Sequence, residues 1–333
     1  MSQRHSRARS QGQVASPSGR GGRLLVIVGV AGMMSSFAAC SSTRAGFDGE
    51  TSAQPTAPTE AGPAYAFEPD ASATDSGVKD ECQKMDVVFV IDDSGSMGPK
   101  QQKLRANFPR FVDVLDQYKT KTGSELDYRL AVTSTDTERS DLQTGGKGGF
   151  VTSSKSSCLP GPSRAWLERS DPTVASAFSC RAGLGTEGST LERPLAALQL
   201  SLTNRLADQN RNFVRDDALL AFVIVTDEED GSENAPNPSG LVAELDRLKT
   251  LRGRWAGAVI SGPASASCGG GSVAGGGDPS PRLHELVEKS ADPASGRNNV
   301  IWRTICQESF DTAVKDALDT FTVACRDLPA LPR

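Results

Sequence analysis

Two short clusters of oxygen-bearing side chains could do chemistry in this sequence: Asp92-Asp93-Ser94-Gly95-Ser96 and Thr226-Asp227-Glu228-Glu229-Asp230. Each closes an apolar, β-branched run, at 86–91 and 218–226. Carboxylates and hydroxyls suit hard divalent cations, which take oxygen ligands; Mg²⁺ prefers octahedral geometry and retains several waters. Softer or nucleophilic chemistry has little to work with. His5 and His284 are the only histidines, which leaves no zinc cluster and no His-based triad. No serine stands in a Gly-x-Ser-x-Gly context, and no cysteine is placed as a nucleophile.

The two runs read as strands buried on both faces. Between and after them the pattern alternates. Segment 99–120 carries Leu104, Phe108, Phe111, Val112 and Leu115 at helical spacing, with a kink expected at Pro109. Segment 128–133 reads as a second strand, and 218–226, the most apolar, as the central one. Helices are expected over 191–202, 241–251, 282–289 and 310–321, strands over 255–261 and 300–303, and a Gly-rich loop over 262–281. The stretch 136–185 is rich in Gly, Ser and Pro, holds two cysteines, and reads as a disulfide-braced insertion. Strands alternating with helices predict an α/β fold: a doubly wound, mostly parallel central sheet with helices on both faces. In such sheets ligands bind beyond the carboxyl ends of the strands, where both clusters fall.

Asp92-x-Ser94-x-Ser96 after a hydrophobic strand resembles the first element of the metal site of von Willebrand factor type A (VWA) domains. Thr226-Asp227 after the central strand resembles its last. The family adds a threonine from a Gly-rich loop just before a helix. Gly188-Ser189-Thr190 has that register, making Thr190 the first choice and Thr186, in Gly185-Thr186, the alternative. The resemblance follows the family's element order from about residue 82 to 326, and the long insertion departs from it. It implies a VWA-like domain over 81–327 with a MIDAS-type site of Asp92, Ser94, Ser96, Thr190 (or Thr186) and Asp227 around Mg²⁺, Mn²⁺ or Ca²⁺. Two carboxylates leave such an ion electrophilic, and in the family its open position accepts an Asp or Glu carboxylate from a partner protein. Glu228, Glu229 and Asp230 read as a solvated loop in preference to a second, Ca²⁺-like site, Asp93 as a loop residue and Ser189 as a helix cap.

The N-terminal region has the layout of a secretory signal. Arg4, Arg7, Arg9, Arg20 and Arg23 precede the apolar run 24–34, and no acid appears before Asp48. At eleven residues that run is well short of the roughly 20 a membrane-spanning helix needs, so removal of 1–39 is expected. Phe37-Ala38-Ala39-Cys40 resembles the bacterial lipobox, apart from Phe at its first position, and implies lipidation (palmitate among the acyl chains) of Cys40. Residues 40–80 then form a Ser/Thr/Ala/Pro-rich tether with a typical flexible span of about 35 Å.

Setting Cys40 aside turns seven cysteines into six, enough for three disulfides in an oxidising envelope. Position along the chain suggests Cys82–Cys325, Cys158–Cys180 and Cys268–Cys306. Loss of 1–39 would leave 31 basic against 41 acidic side chains, which argues against nucleic-acid binding.

Together these features predict a lipid-anchored envelope protein, in the outer membrane of a Gram-negative bacterium by analogy with Ser41 after Cys40. Its membrane contact is the anchor alone, and its partner is a protein with an exposed Asp or Glu, in adhesion or envelope assembly. The alternatives are an envelope scaffold without metal-dependent recognition and a hydrolase. The second is the weaker: haloacid dehalogenase-like phosphatases place an acid two residues after the nucleophilic Asp, where this chain has Ser94. A binding protein, not an enzyme, is expected.

Overall fold

The buried, β-branched run that ends at Asp92 forms the middle of a six-stranded sheet. The structure is a computed structural model that describes residues 82–120, 122–152, 161–233 and 235–331; the expected signal 1–39, Cys40, the tether 40–80 and Cys158 lie outside the described residues. Strand β1 (Lys84–Ile91) pairs in parallel with β2 (Asp127–Ser134) on one side and β4 (Leu219–Val225) on the other. Its last residue, Ile91, stands in register with Ser134 and Val225, so three strands end together. Two more parallel strands, β5 (Trp255–Ser261) and β6 (Val300–Thr304), continue beyond β4. A two-residue strand, β3 (Leu167–Glu168), lies antiparallel on the outer side of β2, giving the order β3-β2-β1-β4-β5-β6.

Alternating side chains of the strands feed two cores. On one face Val87, Phe89 and Ile91 pack with α1 (Gly98–Gln117), α2 (Val174–Ala182) and α6 (Asp311–Arg326). On the other, Val88, Val90, Phe222 and Trp255 pack with α3 (Pro194–Leu202), α4 (Pro238–Lys249) and α5 (Pro281–Lys289). The fold is thus the expected doubly wound α/β architecture, mostly parallel and covered on both faces. No helix among the described residues is long and apolar enough to cross a membrane.

The stretch 136–185 is more than a braced insertion. It supplies β3 and α2, and α2 sends Phe178, fully buried, into an aromatic cluster whose ring centroids lie 4.9 Å from Phe89 and 4.7 Å from Phe108. The same helix also meets α1 at Pro109. Helix α1 runs unbroken through Pro109, whose missing N–H leaves the Arg105 carbonyl without its helical donor; Ser179 of α2 donates its hydroxyl to that carbonyl at 3.1 Å.

Cys82 and Cys325 are joined, with Cα atoms 5.0 Å apart, and Cys268 and Cys306 with Cα atoms 6.1 Å apart, as expected. Cys180 is also disulfide-bonded.

Candidate functional site

Strand pairing continues one residue past β1: Asp92 N–H donates to the Val225 carbonyl at 2.9 Å, so the chain leaves the sheet with the Asp92 side chain fully buried between two strand ends. One carboxylate oxygen, Oδ1, accepts the Ser94 N–H at 2.8 Å, and Oδ2 accepts the Thr226 hydroxyl at 2.8 Å. The Ser94 and Ser96 hydroxyls are 3.0 Å apart, and Ser96 donates to Asp227 Oδ1 at 3.0 Å. One hydrogen-bonded chain therefore links Asp92, Ser94, Ser96 and Asp227, four of the five residues expected to meet. Asp227 is as buried as Asp92.

The fifth position falls to the Gly-rich loop before α3. Gln101, on α1, donates through Nε2 to the carbonyls of Asp92 (2.8 Å) and Gly185 (2.7 Å) and accepts the Gly185 N–H at 3.1 Å. Gly188 N–H reaches the Asp93 carbonyl at 2.8 Å, and a side chain at 188 would collide with Asp93. These contacts seat Gly185–Gly188 along the Asp92–Asp93 loop and bring the Thr186 methyl to 3.4 Å from the position of a Cβ on Gly98. Thr186 and Thr190, the first choice from sequence, are both exposed, and no hydrogen bond of the Asp92–Asp227 chain reaches either.

Two charged residues at this site were not anticipated. Lys100, 2% exposed in the first turn of α1, places Nζ 2.5 Å from Asp227 Oδ2 and 3.5 Å from the Ser96 carbonyl. Glu192, 1% exposed, accepts the Thr135 hydroxyl at 2.7 Å on Oε2, whereas Oε1 makes no hydrogen bond of normal geometry. Burial, reinforced by the charge of Asp92, pushes the Glu192 carboxyl up to about 9. Burial likewise raises Asp92 to about 7, opposed by the Ser94 N–H and assisted by the Asp227 charge. In sequence, Glu192 showed only as an acid between a Gly-Ser-Thr loop and an apolar helix.

The neighbouring acids serve the fold. Asp230 is buried, accepts the Leu195 N–H at 3.1 Å at the start of α3 and pairs with Arg282 at 3.0 Å. Glu229 accepts the backbone N–H groups of Asp230 (2.7 Å) and Arg282 (3.1 Å). Asp93 is buried and engaged by Ser134 and Arg139. Ser189 accepts the Leu191 N–H at 3.0 Å, while α3 starts later, at Pro194.

Among the described residues, no group of three or more His, Cys, Asp or Glu is arranged to hold a metal ion. The converging set is of another kind: two fully buried carboxylates with serine hydroxyls between them and a third acid alongside. Lys100 pairs with Asp227, and an all-oxygen set of carboxylates and hydroxyls fits a hard divalent cation.

No protein-family model and no curated protein matches the chain. Solved structures of proximal thread matrix protein 1 (PTMP1) from the mussel byssus are similar at 14% identity and a TM-score of 0.39, over 74% of this chain. One of them is described as having a zinc-occupied MIDAS motif. The chain spans about half of those structures, 47–48% of their length.

Proposed function

We propose that this is a VWA-like domain that binds an acidic group of a protein partner through a divalent metal ion, held at the cell envelope by a lipid on Cys40. The observation that carries this reading is the hydrogen-bonded chain from Asp92 through Ser94 and Ser96 to Asp227, which joins two adjacent strand ends in a buried, negatively charged setting. Asp92 and Asp227 would hold the ion with Ser94 and Ser96, and Thr186 is the better-placed threonine. Thr226 and the Ser94 N–H fix the Asp92 carboxylate, and Gln101 fixes the loop that carries Thr186. The bound ion would supply a Lewis-acidic centre with a position open to an incoming carboxylate.

Binding without turnover is supported by how the candidate catalytic groups are used. His284 packs against Trp302 with ring centroids 4.6 Å apart and Nε2 3.2 Å from the Gly262 carbonyl, and the five described cysteines are disulfide-bonded. The lipid anchor and the outer membrane rest on the sequence alone. One observation favours the scaffold reading: Lys100 already satisfies Asp227 without a metal. Calorimetric titration of Mg²⁺, Mn²⁺ and Ca²⁺ into the purified protein decides between them, beside an Asp92→Ala/Ser94→Ala variant. Saturable heat lost in the variant is expected; identical traces would leave the scaffold.

A further inference from the structure

Resting on that reading, we infer that Lys100 is a tethered cation that holds the metal position closed: its ammonium and the divalent ion compete for Asp227, and one must leave for the other to bind. Asp227 has few partners. Its Oδ1 takes the Ser96 hydroxyl and its Oδ2 takes Lys100 Nζ, which together use the two side-chain oxygens that face the cluster. Lys100 reaches this position because the first turn of α1 starts at Gly98, directly after the Ser96 loop, and its Nζ also lies 3.5 Å from the Ser96 carbonyl. Both side chains are almost fully excluded from water, 3% exposed for Lys100 and 0% for Asp227, so solvent screens their interaction little.

A fixed ammonium and a divalent ion on one buried carboxylate would repel strongly in that setting. The asymmetry of the cluster points the same way. Lys100 is the basic side chain that contacts Asp227, and among the described residues no basic side chain is hydrogen-bonded to Asp92 or Glu192. A doubly charged ion attracts the Asp227 carboxylate more strongly than a single ammonium does, while the tethered amine is always present at the site and sets the threshold that ion must exceed. The lysine stem is unbranched and starts beside the exposed Pro99, and metal entry requires that the side chain rotate outward to vacate Asp227. The site would thus have two arrangements, lysine in and metal out or lysine out and metal in.

Two measurements on the full-length chain test this, with Mg²⁺ as the probe. In the wild-type protein, acetylation of Lys100 by acetic anhydride, read by peptide mass spectrometry, should be slow in chelator and rise several-fold in saturating Mg²⁺. In Lys100→Met, which keeps the stem length and removes the charge, calorimetry should give Mg²⁺ affinity tighter by about tenfold or more. Unchanged acetylation in saturating Mg²⁺, or equal or weaker Mg²⁺ affinity in Lys100→Met, would overturn the inference while leaving the metal site standing. No heat in either protein would overturn both together. Binding seen only in Lys100→Met would mean that the lysine is the resident cation. The labelling arm uses wild-type protein and stands even where the variant does not fold.

Discussion

Lys100 and Asp227, 127 residues apart in sequence, meet at 2.5 Å where the first turn of α1 faces the end of β4. The pair is buried, and removing one member strands the other charge. Asp227→Ala is therefore expected to lower the unfolding free energy of the metal-free protein by about 3–5 kcal/mol, measured by urea denaturation. A loss under 1 kcal/mol (roughly one exposed ion pair) would mean that water reaches the site.

Stability of the metal-free protein should fall with rising pH. Asp92 and Glu192 have folded-state values of about 7 and about 9, above their ordinary 3.8 and 4.5, so the folded state holds protons that the unfolded chain has released. The stabilisation they contribute is complete below their ordinary values and is lost as pH climbs toward 7 for Asp92 and 9 for Glu192. Denaturation midpoints in chelator should be higher at pH 5 than at pH 8, and Glu192→Gln should flatten the slope. A midpoint that rises with pH would contradict the buried-acid description.

Thr186→Ala should weaken Mg²⁺ binding by about tenfold or more, and Thr190→Ala should leave it unchanged. The comparison is a direct one, because the two threonines lie four residues apart in one loop. The reverse ranking in calorimetry would return the fifth ligand to Thr190.

Phe178→Ala should destabilise the protein by about 3–5 kcal/mol, the range for emptying an aromatic core position. Thermal or chemical denaturation that barely changes would show that α2 is an appendage.

Removing the Cys82–Cys325 link through a Cys82→Ala/Cys325→Ala variant should cost about 5.5 kcal/mol on a chain-entropy estimate, given its separation of 243 residues. The same estimate gives about 4 kcal/mol for Cys268–Cys306, separated by 38. Equal losses well below these figures would place the stabilisation elsewhere.

The sheet was legible because its strands are long apolar runs: β5 was expected at 255–261 and is found there. Helix α6 extends to Arg326, beyond the expected 321, and its last turn buries Cys325 against Cys82. Strand β3 and helix α2 went unread for a different reason. Two residues carry no period, and VASAFSCRA has one aromatic side chain, so α2 is held by Phe178 against α1 more than by its own pattern. At the site, the two polar clusters were readable from their place after strands, and the family resemblance singled out Asp92, Ser94, Ser96 and Asp227 within them. Thr186 was not separable from Thr190, since the path of a glycine-rich loop is set by Gln101 and Asp93 from other elements. Lys100 and Glu192 look like surface charges in sequence, and only the fold reveals that they are sealed in.

Strand β1 has Cys82 just before its foot and Asp92 just past its head. A pull between a tether at the one and a partner gripped at the other would run along a strand flanked by parallel neighbours on both sides. Those ladders would be loaded in shear, many hydrogen bonds at once, and would not unzip singly. The Cys82–Cys325 link passes part of the same force into α6 before the sheet bears it.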